Sequence, residues 1–139
     1  MRRAALLGCS TVLAALLPAG CGGVKAGDLF IVSRSGSTPH AHLTLLVNEE
    51  GNVNCNGGPT LRLSDSQLVR ARAIQEDLHD AAGSHLALAP RPGSVLRYFL
   101  RTEAGTVRFS DNSAGQPSVF HQLQLFVLQT AQQVCHLPE

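Results

Sequence analysis

Six histidines and four cysteines are the side chains here most able to hold a metal or attack a carbonyl. His40 and His42 flank Ala41, a two-residue spacing that would set both imidazoles on one side of a strand. No third ligand stands near them, so a metal site is not expected. His79 and His85 have no partner spacing. Asp111-Asn-Ser113-Ala-Gly115 has the composition of a calcium loop, but Gln122 stands where the bidentate acid belongs and the sixth position is not Gly. There is no Cys-x-x-Cys, and the one base beside a mature thiol is His136 next to Cys135. The hydrolase elbow, the zinc-protease helix, the phosphate-binding Gly-rich run and the dinucleotide fingerprint are all missing. The chain is not expected to be an enzyme or to carry a cofactor.

Arg97, Phe99 and Arg101, with Arg108 on the following strand, interleave cations and an aromatic as single-stranded nucleic-acid platforms do. The formal net charge is only +1, however, so a solvated sheet face is the simpler account and no nucleic-acid partner is expected.

Alternation and turn residues mark the elements that must position these groups. Asp28–Ser33, with Phe30-Ile-Val, reads as a first strand at a sheet edge, and Ser35–Pro39 as a loop. Leu43–Asn56 reads as a hairpin turning at Asn48-Glu-Glu-Gly51-Asn, where Gly51 is free to take positive φ. Leu96–Ser110 reads as a second hairpin, turning at Glu103-Ala-Gly-Thr106. At an offset of 54 the two share Leu46/Leu100, Glu49/Glu103, Gly51/Gly105 and Val53/Val107. Each runs into a helix. Ser64-Asp-Ser-Gln67 is a capping box, after which Leu68, Ala71, Ile74 or Gln75, Leu78 and Ala82 recur at helical spacing up to Gly83. Val119, Leu123, Phe126 or Val127, Thr130 and Val134 mark a last helix that closes at Cys135.

The N-terminus is of another kind. Met1-Arg-Arg and the apolar run Ala4–Pro18 form the charged and hydrophobic regions of an export signal, residues 1–20. The run is shorter than the ~20 apolar residues of a spanning helix. Its end, Leu17-Pro18-Ala19-Gly20-Cys21-Gly22-Gly23, resembles the lipobox of bacterial lipoproteins, with Pro18 where leucine is usual. The resemblance implies cleavage before Cys21, acylation of Cys21, and anchorage through that lipid on the outer side of the cytoplasmic membrane. A soluble secreted protein cut near Ala19 or Gly20 is the alternative. Residues 21–27 then form a flexible tether and 28–139 a single domain. Cys9 leaves with the leader and Cys21 carries lipid, so Cys55 and Cys135 remain as two thiols in an oxidising compartment, where a disulfide is expected.

The layout of lipobox, strand, Gly-Asn-Val-Asn-Cys-Asn-Gly-Gly, capped helix with Ala-Arg-Ala, Gly-Thr-Val-Arg-Phe-Ser-Asp and a last helix running into Cys135 is similar to small exported lipoproteins of high-GC Gram-positive bacteria, whose function is unassigned. That likeness implies an envelope location and no chemistry. The hairpin, cysteine and helix in succession also resemble secreted subtilisin inhibitors, although this chain lacks their second disulfide and ends in a helix.

These readings converge on an α+β fold: an antiparallel sheet built from two β-β-α units plus the N-terminal edge strand, with two helices on one face. The 54-residue offset sets Leu43, Leu45 and Val47 on the face of Phe99, opposite the helices. Together these four form the expected interaction surface, for a protein partner or a second copy of the chain. A membrane-tethered binding lipoprotein is the expected function, with an inhibitor of an exported protease as the alternative.

Overall fold

Leu29-Phe-Ile-Val32 is an unalternated apolar run, the pattern of a strand covered on both faces. In the computed structural model, which describes residues 24–138, that run is buried throughout and lies in the middle of the sheet. Strand β1 (Asp28–Gly36) pairs on one side with β2 (Leu43–Asn48) and on the other with β5 (Leu96–Arg101). With β3 (Asn52–Cys55), β4 (Thr60–Arg62) and β6 (Thr106–Ser110) the six-stranded order is β4-β3-β2-β1-β5-β6, antiparallel throughout. The first strand is therefore interior, not an edge as its position in the chain suggested. The edges fall to β4 and β6, and β4 is an addition to the first expected unit. The leader, Cys9 and Cys21 lie outside the described residues.

Three helices pack on one face: α1 (Asp65–Asp77), α2 (His79–Gly83) and α3 (Ser118–Gln133). Helix α1 starts where the capping box predicts. The Ser64 hydroxyl accepts from the Gln67 amide, and the Gln67 side chain accepts from the Ser64 amide. Leu78 separates α1 from α2 and stays buried with Ala71, Ile74 and Ala82, the predicted stripe. Among the described residues no helix is long and apolar enough to cross a membrane.

The core lies between sheet and helices. Leu45, Val32 and Leu100 stand in one row across β2, β1 and β5, all fully buried. Phe30 meets Phe126 edge-on at 5.9 Å and Phe109 stacks on Phe120 at 4.4 Å. Each such side chain contributes on the order of 1.5–3 kcal/mol by leaving water. A bulge between Asp28 and Phe30 lets the consecutive Leu29 and Phe30 both reach this core. Cys55 and Cys135 are bridged, with 6.2 Å between their Cα atoms, tying β3 to the residues that follow α3.

Leu43, Leu45 and Val47 belong to this core at 2%, 0% and 0% exposure, which corrects their expected place on the opposite face. The cause is one residue of turn. In the first hairpin Val53 pairs with Val47, whereas in the second its counterpart Val107 pairs with Leu100. Val53 and Val107 are 54 apart, but their partners Val47 and Leu100 are 53 apart. An odd difference flips every side chain of the outgoing strand, so the likeness between hairpins holds on the return strands and inverts on the outgoing ones.

Candidate binding face

The sheet face turned away from the helices is set by the same alternation. The register places Ile31, Leu46 and Arg101 in one row across β1, β2 and β5, with Asn54 beyond Leu46 on β3. The next row is Thr44, Ser33, Phe99 and Arg108, and the one after it Ser35, Arg97 and Ser110. Asn52, Asn54, Thr60 and Arg62 continue the face across β3 and β4. Of the expected interaction residues Phe99 alone is here, half-buried. Leu46, half-buried, and Ile31, buried at 6% exposure, take the apolar positions that had been assigned to Leu43, Leu45 and Val47.

This face carries Arg62, Arg97, Arg101 and Arg108, and its carboxylates stand at one corner, where Asp28 pairs with Asn48 and Glu50 accepts from the Asn52 side chain. Four further acids, Asp65, Glu76, Asp77 and Asp80, stand on α1 and α2, together with Arg70 and Arg72. The Arg108 guanidinium lies 4.7 Å from the Phe99 ring centroid and that of Arg101 5.9 Å from it, so one aromatic is approached by two cations. Arg62 reaches the Asn52 side-chain oxygen at 3.4 Å.

Beside Phe99 the face sinks into a cleft of about 280 Å³, whose floor and sides are Ser33, Ser35, Arg97, Phe99 and Arg108 and whose rim is Leu88 and Pro90. The rim is fixed by backbone. The Arg108 amide donates to the Leu86 carbonyl at 2.9 Å, and the Leu88 amide to the Arg108 carbonyl at 2.8 Å. Residues 86–88 thereby run parallel along the outer side of β6 and cover part of that edge. A larger depression, about 740 Å³, lies between the start of α1 and the end of α3. Four of its polar side chains are engaged with one another, Ser64 with Gln67 and Arg70 with Gln129.

The other sequence candidates have structural work. Asp111 accepts from Ser94 Oγ at 2.9 Å and from the Val95 amide at 3.2 Å. Asn112 Oδ1 accepts from the Arg91 amide, and its Nδ2 donates to the Arg91 and Pro92 carbonyls. Residues 111–113 thus clasp the connection before β5, and the acid-and-amide composition that suggested a calcium loop serves that clasp. His40 and His42 stand exposed in the loop before β2, not on a strand, and His40 takes φ +62°. Among the described residues no three His, Cys, Asp or Glu side chains group as metal ligands would. Sequence reasoning missed Ile31 and Leu46 as face residues and Ser33 and Ser35 as cleft residues. The pairing of β1 between β2 and β5 is what brings them to Phe99. No protein family, no curated protein and no solved structure matches the chain.

Proposed function

We propose that the protein is a lipoprotein of the cell envelope, tethered at Cys21 to the outer side of the cytoplasmic membrane, that acts by binding through the sheet face opposite its helices. The observation that carries the reading is the presence on one face of the half-buried Leu46 and Phe99, over the buried Ile31, together with Arg62, Arg97 and Arg108, which meet no acid among the described residues. The apolar centre with a cationic surround fits an anionic partner surface or small anion, held without turnover.

The test compares Leu45→Asp, Leu46→Asp and Phe99→Asp. Leu45→Asp buries a charge in the core and is expected to prevent folding. The other two are expected to fold, with near-native circular dichroism, and to lose self-association in sedimentation or capture of a partner from an envelope extract. Unfolding of all three, or undiminished association in the two folded variants, would retire the face.

A second reading, inhibition of an exported protease, is favoured by one feature. The exposed residues 89–93 are tied at Arg91 and Pro92 by Asn112 and just beyond their end, at Ser94 and Val95, by Asp111, as a reactive segment must be. Its test is titration of a subtilisin-type protease with the protein, where full activity at molar excess removes it.

A further inference from the structure

The reading above leaves the ligand open, and the cleft beside Phe99 narrows it. Two rows of side chains cross three strands there: Ser33, Phe99 and Arg108, then Ser35, Arg97 and Ser110. Rows on one face of a strand are about 6.6–6.8 Å apart and strands about 4.8 Å apart, so these six positions fall within one small molecule's reach. The first row offers a flat apolar surface, the Phe99 ring, with the Arg108 guanidinium already stacked on it at 4.7 Å. The second row offers charge. Arg97 is exposed and has no carboxylate or hydrogen-bond partner among the described residues. The hydroxyls of Ser33 and Ser35 likewise have no intramolecular partner there, whereas the Ser110 hydroxyl is bound to Asn112 and Ser113. Four groups able to donate, two of them cationic, therefore converge on a half-apolar hollow with no anion among its lining residues.

Resting on the binding-face reading, we propose that this cleft is a site for a small aryl carboxylate. The flat body lies against the Arg108 guanidinium and the edge of the Phe99 ring beneath it, beside Leu88 and Pro90, and the carboxylate takes the Arg97 fork with Ser35 or Ser33 completing its hydrogen bonds. A planar guanidinium meets a carboxylate with two parallel N–H···O bonds, a geometry that a point cation lacks. The volume of about 280 Å³ stands at the small end of ligand sites, which fits one or two fused rings and not a polymer or a lipid tail. The Leu86 and Leu88 backbone bonds to Arg108 fix the rim beforehand, so little ordering cost falls on binding.

The probe is 2-naphthoate added to the full chain, followed by amide chemical shifts and by the probe's own fluorescence, which no Trp obscures. Saturable binding with shifts centred on Ser33, Ser35, Phe99 and Arg108 is expected. Arg97→Gln, a change at an exposed side chain that should fold normally, is expected to weaken binding roughly tenfold. The uncharged 2-naphthamide and inorganic phosphate should each bind at least about tenfold less tightly than naphthoate, because each lacks one of the two matched parts. No saturable binding, shifts elsewhere, or equal binding of the amide would overturn the proposal. If naphthoate fails while Leu46→Asp and Phe99→Asp still abolish association, the aryl-carboxylate site falls and the binding face stands; if both fail, both fall.

Discussion

Tyr98 and Phe99 are chain neighbours with opposite fates, because successive strand residues point to opposite faces. Phe99 looks onto the open face under two arginines, while Tyr98 is 5% exposed and stacks on Phe109 at 5.0 Å. Burial raises the Tyr98 pKa above 10.0, with Asp111 adding to the rise and the charge and hydrogen bond of Arg34 opposing it. The sign of the linkage follows. The folded protein holds the phenol proton more tightly than the unfolded chain, so this stability is fully present below pH 10.0 and is lost as pH rises through the folded value. Tyr98 is the only tyrosine and there is no Trp, so phenolate absorbance reports this group alone. An alkaline titration is expected to show its ionisation above pH 10.0, and Tyr98→Phe to remain folded to higher pH than the parent. A phenol titrating at 10.0 with stability unchanged would show that the ring is solvated.

At the scale of elements the longest-range constraint is the bridge from β3 to the end of α3. Cys55 and Cys135 are 80 residues apart, so on the chain-entropy account the bridge stabilises the fold by about 4 kcal/mol, through the unfolded state. The double substitution Cys55→Ala, Cys135→Ala is expected to lower the urea midpoint and raise the slope, since the opened chain exposes more surface on unfolding. An unchanged midpoint would mean that β3 and α3 are held without it. This pairing, both hairpins and the capped start of α1 were legible in the sequence, because each rests on local chemistry: cysteine number, turn glycines, a hydroxyl three residues before a glutamine. The residues of the site were legible only in part. Phe99 and its arginines stood out by alternation within one strand, but the company they keep depends on β1 threading between the hairpins and on a one-residue difference between two turns. Neither is a local property. The apolar run Leu29–Val32 was the available sign that β1 is interior, and its lack of alternation left its faces undetermined when read alone.

Over the whole molecule, charge is arranged by side. Cleavage before Cys21 would leave nine basic and ten acidic side chains, nearly neutral in sum. Yet α1 and α2 carry four acids, Asp65, Glu76, Asp77 and Asp80, against Arg70 and Arg72, and the opposite sheet face carries four arginines. Such a molecule is steered by orientation and not by net charge. The proposed attachment at Cys21 would fix where that orientation matters. Lys25 to Asp28 form a turn, with the Asp28 amide donating to the Lys25 carbonyl, and the Glu49 amide donates to the Gly27 carbonyl, so the chain is held to the first hairpin from Gly27 onward. Only four peptide steps separate Cys21 from Lys25, a reach of at most about 14 Å, which would keep the domain at the bilayer surface once Cys21 is acylated. A single acyl chain anchors marginally, whereas the several of a mature lipoprotein hold a protein stably. Cell fractionation is expected to find the wild-type protein with membranes and Cys21→Ser in the soluble fraction or the medium, with the Cys55–Cys135 bridge intact in both. Wild-type protein found wholly in the medium would overturn the tether while leaving the binding face to its own test.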